Sequence, residues 1–454
     1  MEPSPDLPPE APSVPLAPSD RRGVLRPYRE RANRRIDRLQ SRARELGPGL
    51  ITGAADDDPS GIATYSQAGA AFGYSTLWIA LVTLPLMAAV QLMCARIGIV
   101  ARSGLASVLR AYYPRWILWG ACSLLVLGNT INIAADLGGM AAAAGLLTGW
   151  PASWFVPAFT VLIMVLLIFA SYERMTSVLK WLSLALFSYF FAAIFAHPDV
   201  SAAIRGTFVP RIIWSQEYLL MLVAILGTTI SPYLFFWQAS QNAEQDALWR
   251  ERSSERPPRA VQRELRAAAR DVNTGMLFSN AVMFFIILTT AATLHRAGIR
   301  DVQTAEQAAA ALRPLAGPWA SVLFAAGLVG TGMLGVPVLA GSAAYAVAEA
   351  ASWRVGMNET LNTAKHFYGV IAVAMAMGTA LTVAQVNPIK LLVWSAVVNG
   401  LLAPPLVAII LVVCNNRMVM GSHRNRIPLN LLGGLAGVLM TAAAAALIWS
   451  WIAS

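Results

Sequence analysis

The stretch AADDDPSGI, residues 54–62, puts Asp56, Asp57, Asp58, Pro59 and Gly61 inside an apolar segment running from about Pro48 to Phe72. That segment is long enough to cross a bilayer. A helix cannot carry Pro59, Ser60 and Gly61 at that depth without local breakage. One aspartate at bilayer depth costs roughly 2.5–3.5 kcal/mol even on the gentlest scale. Such a defect persists only where freed carbonyls and a carboxylate line a cavity. Those groups are hard oxygen ligands, which hold small hydrated cations, so the pattern points to a cation site inside a membrane. Successive helical residues point ~100° apart, so at most one or two of the three acids can face one ion. For Asp56 and Asp57 the alternative is that they flank the pathway and attract cations without ligating them.

Composition sets the elements that must position these groups. The chain has 454 residues, 57% hydrophobic and 13% charged, with mean hydropathy +0.56. Soluble domains carry about 25% charged residues, so this is an all-α polytopic membrane protein, expected to sit in the lipid bilayer as an integral, multi-pass protein. The net charge of +10 reflects arginines at the ends and in a few loops, as the positive-inside rule requires, and does not call for a nucleic-acid partner. Cys94, Cys122 and Cys414 are too far apart in sequence for metal-ligand spacing or a disulfide framework and read as small buried hydrophobes. Residues 1–46 are expected to form a disordered, Arg-rich cytoplasmic tail. Its basic half is either an amphipathic helix on anionic lipid or a solvated topogenic segment.

About eleven apolar spans of ~20 residues follow, starting near Pro48, Thr76, Trp116, Ala152, Val178, Leu219, Thr274, Trp319, Tyr368, Ile389 and Leu429. Arginine placement orients them. The connections after even-numbered spans hold Arg96 to Arg115, Arg174 with Lys180, Arg250 to Arg270, and Arg417 to Arg426. All fit a cytoplasmic side, with the N-terminus inside. The sixth span is interrupted as well, at Pro232 in GTTISPYLFFWQ. Two broken spans five apart fit inverted five-helix repeats, 47–196 and 217–412, with a midplane site between two discontinuous helices; residues 428–452 add an extra helix. A single proline kink is the simpler alternative for the sixth span.

GPGLITGAADDDPSGIATYSQAGAAFGYSTLW, Gly47–Trp78, resembles the first helix of the Nramp family of divalent-metal transporters, whose signature runs GPG, DPGN and then a stretch like FATDIQAGAQFGYSLLW. The resemblance implies a LeuT-like inverted repeat with broken first and sixth helices, a divalent metal ion as substrate, and no cofactor beyond that transported cation. The departures are informative. Asp58 stands at the family's metal-binding aspartate, but Gly61 replaces its asparagine ligand. Ser231 and Tyr233 replace the sixth-helix methionine and histidine, and Gln238 a second histidine. Asp136-Leu137-Gly138-Gly139 stands where the family has DLAE. Lys365 and His366 sit at the entrance of the ninth span, where the family has an arginine pair deeper in. This set is similar to the Nramp-related magnesium transporters.

A thioether favours soft metals and gives nothing to Mg²⁺, whereas the Ser231 hydroxyl is a hard ligand. Losing the asparagine at Gly61 frees volume for Mg²⁺, which keeps several of its waters. The resemblance implies a metal site made of the Asp58 carboxylate and the Thr228 backbone carbonyl, which matches the family's unwound sixth-helix position, with Ser231 and Gly61 lining the space. Asp57, Asp56, Asp136, Tyr233 and Gln238 are secondary or pathway positions. The four histidines fall at span ends or loops, so most of the family's proton route is missing. The expected activity is secondary transport of Mg²⁺, and also Mn²⁺, without proton coupling; the alternative is a proton-coupled Mn²⁺/Fe²⁺ importer. A carrier of organic acids would present first-break amides to a carboxylate that three acids would repel. An intramembrane enzyme needs a catalytic pair such as HExxH or facing aspartates, and none is seen, so the chain is not expected to be an enzyme. A sensor or partner-binding module is a further reading of the basic tail and the 249–271 loop. The composition and the resemblance suggest a bacterial inner membrane, and a monomer is compatible with the sequence.

Overall fold

Lipid offers no water to backbone amides, so an apolar chain closes its hydrogen bonds within helices. The computed structural model describes residues 48–169, 186–252, 260–383 and 387–453, and every regular element among them is helical. The first span is α1 (Pro48–Asp56) and α2 (Pro59–Phe72). Next come α3 (Trp78–Ala101), α4 (Arg115–Thr148), α5 (Ala152–Phe169) and α6 (Phe187–Phe195). The sixth span is α7 (Gln216–Thr229) and α8 (Pro232–Arg252). It is followed by α9 (Ala260–Thr290), α10 (Ala320–Ala350), α11 (Lys365–Val383), α12 (Pro388–Asn415) and α13 (Ile427–Ala453). Among the described residues, 9 stretches are long and apolar enough to cross a membrane, with α7 and α8 joined as one. The halved first span and α6 are the passes that this length test leaves out. The tail, the expected start of the fifth span at Val178, and Arg174, Lys180, Arg256 and Arg259 lie outside the described residues.

Burial separates centre from periphery. The most apolar window of α7–α8 is 89% buried, that of α5 only 17%. The two broken spans therefore form the middle of the bundle, and α5 turns Val161, Val165 and Phe169 outward. Small residues let helix backbones approach. Gly227 of α7 and Gly400 of α12 abut so closely that a Cβ on either would overlap the other helix's backbone. Gly53 of α1 meets Gly275 of α9 in the same way. The glycines of the third and eighth spans serve different contacts. Gly332 makes room for Met140 and Pro59, whereas Gly138 and Gly139 face Thr382 of α11 and Leu392 of α12.

At predicted span ends Trp78 and Trp116 both read from sequence as interface anchors, and one of these expectations needs correcting. Trp116 is 75% exposed, as an interface anchor should be. Trp78 is not such an anchor: it is half-buried and its indole donates to the Tyr218 hydroxyl at 3.3 Å, because the chain turns inward there toward α7. The cysteines are buried, as expected. The Asn399–Pro405 region is a continuous part of α12 packed through Gly400.

Gly227→Val should lower stability by about 1–3 kcal/mol through overpacking. Gly120→Ala, where a Cβ meets open space, should leave it unchanged or raise it by about 0.4–1 kcal/mol. Thermal unfolding of the two variants in the same detergent distinguishes them.

Candidate metal site

The first break is built by Asp58-Pro59-Ser60-Gly61. Asp58 is extended (φ −65°, ψ 171°) and caps α2, with Pro59 at the first turn, where its missing N–H costs nothing. The Asp58 Oδ1 accepts from the Gly61 amide at 2.9 Å and the Ser60 hydroxyl at 2.7 Å. Its Oδ2 accepts from Asn132 Nδ2 at 3.1 Å and lies 3.3 Å from the Tyr233 hydroxyl. Gly61 thus contributes its backbone amide to the cap, and a Cβ there would rest against the Tyr65 ring.

The second break follows Thr229. Ile230 leaves the helix (φ −117°, ψ 63°), and Pro232 starts α8. The Ser231 hydroxyl donates to the Thr228 carbonyl at 2.7 Å, with the Gly227 carbonyl at 3.1 Å. Its lone pairs remain available, and it also faces Asp56. Tyr233 joins the two breaks, since its hydroxyl donates to the Ala55 carbonyl at 2.8 Å. Ser342 of α10 in turn donates to the Tyr233 carbonyl at 2.6 Å.

The three consecutive acids divide. Asp58 faces Asn132 and Tyr233, whereas the Ser279 hydroxyl of α9 lies 2.7 Å from Asp56 Oδ2 and 3.1 Å from Asp57 Oδ1. Asp136 of α4 comes to the same place, near the Ser60 amide and Asp58. Gly335 of α10 leaves the room: a Cβ there would lie 3.0 Å from the Asp58 Cβ and 3.8 Å from Asp136 Oδ2. All four acids are at most 2% exposed. Asp56 Oδ1, Asp57 Oδ2, both oxygens of Asp136 and Asn132 Oδ1 accept no hydrogen bond. Among the described residues, none of the four is paired with a lysine or arginine. Buried carboxyls without counter-charge are costly, and a cation is what their unused oxygens fit. No three described His, Cys, Asp or Glu side chains converge closely enough to hold a metal by themselves, so hydroxyls, carbonyls and water would complete its shell.

Gln238 is apart from this cluster. Its Oε1 accepts from Thr52 at 2.8 Å and Gln91 at 3.2 Å, and its Nε2 donates to Asn242 at 2.6 Å. It is a hydrogen-bonded hub between α1, α3 and α8. The histidines are elsewhere too: His295 contacts the Ala70 carbonyl and His366 stacks on Trp353.

The family model for natural resistance-associated macrophage protein-like (Nramp) chains matches residues 49–450. The chain belongs to the Nramp family. The divalent metal cation transporter MntH of Xanthomonas campestris pv. campestris is 31% identical over 297 residues, 63% of this chain and 64% of its own length. The chain thus spans somewhat less than two thirds of that relative. The MntH of Burkholderia ambifaria is 26% identical over 412 residues, 89% of this chain and 88% of its own. Among solved structures, the manganese transporter of Eremococcus coleocola in complex with an aromatic bis-isothiourea substituted compound aligns with TM-score 0.70 and 19% identity, covering 88% of this chain and 85% of its own. Mhp1, a nucleobase-cation-symport-1 family transporter, aligns with TM-score 0.55 and 14% identity over 89% and 92%. The Nramp fold is therefore a LeuT-like inverted five-helix repeat with broken first and sixth helices.

Within this Nramp bundle, sequence reasoning missed Ser279, a lone serine in an apolar span with no local signal. Asn132 lies in the polar stretch Asn129-Thr130-Ile131-Asn132, a signal that something polar is faced there but not that it is Asp58. Ser60 was legible in principle, since D-P-S-G is a helix-start pattern. In metal-free protein, Asp58→Ala should cost about 0.5–2 kcal/mol through loss of the cap. Asp58→Asn keeps a capping oxygen and removes one charge from the cluster, so its unfolding midpoint should match or exceed that of the unaltered protein.

Proposed function

We propose that this chain is a secondary transporter of divalent metal cations, carrying Mg²⁺ and also Mn²⁺ without proton coupling. The observation that carries the reading is that the two helix breaks bring the Asp58 carboxylate, oriented by Gly61, Ser60 and Asn132, together with buried oxygens of Asp56, Asp57 and Asp136 that have no hydrogen-bond partner. The Asp58 carboxylate is the principal ligand. The Thr228 carbonyl and the Ser231 hydroxyl, whose proton is directed away toward that carbonyl, supply further hard oxygens. Gly61 brings no side-chain ligand and holds Asp58 through its amide, which leaves coordination positions to retained waters, and Asp56 and Asp57 add negative charge from the α9 side. The relatives' names support a divalent cation as cargo. An all-oxygen set favours Mg²⁺ over softer metals, and the absence of histidine from the described cluster supports uncoupled movement. An inside-negative potential then drives entry, with roughly 4.6 kcal/mol per 100 mV for a divalent ion, twice the single-charge value. The arginine-rich connections support a cytoplasmic N-terminus in a bacterial inner membrane.

A proton-coupled manganese carrier is the second reading. It is favoured by the manganese transporter among the fold relatives and by Asp136, whose carboxyl lies beside Asp58 and could carry a proton. Liposomes with an inside-negative potential separate the two. Mg²⁺ entry without lumenal acidification, abolished by Asp58→Ala, is expected. Mn²⁺ entry with acidification and no Mg²⁺ flux would defeat the proposal, and Asp136→Asn would then be the first variant to test for loss of the proton. Ser231→Met should raise transport of Cd²⁺ relative to Mg²⁺, since it adds a soft ligand; an unchanged ratio would remove Ser231 from the ligand set.

A further inference from the structure

Far from the helix breaks, α3, the first turns of α9 and the segment leading into α13 enclose a cavity of about 710 Å³. Its polar wall carries Arg96, Arg266, Arg424, Arg426 and His423, and no aspartate or glutamate is among its described lining residues. Arg96 anchors this wall. Its Nη2 donates to the carbonyls of His423 at 2.5 Å and Arg424 at 3.3 Å, while its Nε is buried and without a partner. The heads of Arg266, Arg424 and Arg426 belong to exposed residues. The remaining wall is apolar, with Leu92, Leu265, Leu429 and Leu432. Beside it, α13 turns Ile427 (75% exposed) and Leu431 (67% exposed) outward.

We propose that this cavity binds the phosphodiester head group of an anionic membrane lipid, whose acyl chains lie along the outward face of α13. Guanidinium groups match phosphate oxygens in geometry and charge. A basic pocket between membrane helices at the arginine-rich end is where such head groups are held. The leucine floor and the apolar flank of α13 suit a lipid better than a free, fully hydrated phosphate. The site shares no residue with the metal site, so it stands or falls independently of the transport proposal.

The test uses the full chain in detergent. Native mass spectrometry counts bound phosphatidylglycerol against phosphatidylcholine, with inorganic phosphate as competitor. Arg266→Gln/Arg424→Gln/Arg426→Gln removes three exposed charges and leaves Arg96 in place. Arg211→Gln/Arg296→Gln/Arg313→Gln removes three exposed charges elsewhere. The first variant should bind phosphatidylglycerol about a hundredfold more weakly, and the second should bind as the unaltered protein does. Equal phosphatidylglycerol binding by both variants, or no preference over phosphatidylcholine in the unaltered chain, would overturn the proposal. Displacement of the lipid by millimolar inorganic phosphate would reassign the cavity to a soluble anion and overturn it too. Matching unfolding midpoints in phosphatidylcholine nanodiscs show that the first variant is folded.

Discussion

A helix interrupted inside a membrane must satisfy its freed backbone groups without water, and the Asp58 carboxylate is the group on which this solution rests. Its Oδ1 takes the Gly61 amide and the Ser60 hydroxyl at the start of α2. Its Oδ2 takes Asn132 from α4 and approaches Tyr233 from α8. One oxygen serves the local backbone and the other the tertiary structure. The second break is closed by a different device, in which the Ser231 hydroxyl covers the Thr228 carbonyl. Tyr233 then ties the two breaks together through the Ala55 carbonyl. These bonds are short, buried and mutually dependent, so the interruption is a defined structure and not a loosened stretch of helix.

Around this frame the protein gathers four buried carboxyls and gives them few donors. Ser279 is shared by Asp56 and Asp57, and Asp136 has only the Ser60 amide nearby and no well-formed hydrogen bond. Close packing forces the arrangement as much as it permits it. Gly335 lets α10 lie against Asp58 and Asp136, and Gly332 lets it lie against Pro59. A larger residue at either position would hold α10 away from the break and admit lipid or water to the acids. The small residues of the eighth span therefore belong to the site although none of them offers a ligand.

Much of this was legible in the sequence because the physics is local. Proline, glycine and aspartate inside an apolar run announce a break, and their spacing against Pro232 announces its partner five spans on. The division of the three acids was foreseen only as a limit on how many could face one ion. Which of them turn toward α9 depends on Ser279, more than 200 positions away and unmarked by any periodicity. Gln238 reads from sequence as a secondary or pathway position, and only the fold shows that its amide is hydrogen-bonded to Gln91, Asn242 and the Thr52 hydroxyl. Trp78 was read from its place at a span end, whereas its partner Tyr218 lies across the bundle. In each case the missing information was tertiary.

The same geometry bears on how a bound cation would act on the helices. A cation and a hydrogen-bond donor compete for the same carboxylate lone pairs. An ion taking the Asp58 Oδ2 would displace Asn132 and the Tyr233 contact, while one held on Oδ1 would compete with the α2 cap. The first course is the less disruptive, because the Tyr233 hydroxyl keeps its better bond to the Ala55 carbonyl and Asn132 can turn its free Oδ1 toward the ion. Loading the site from that side would leave both helix breaks closed while neutralising the acids around them. On the proposed function, the cargo would then replace the repulsion among four buried carboxyls by attraction, and the loaded bundle would be tighter than the empty one. A ligand can shift a conformational equilibrium only by its differential affinity for the two states. Here that difference would arise from the carboxyls themselves, with no separate switch required.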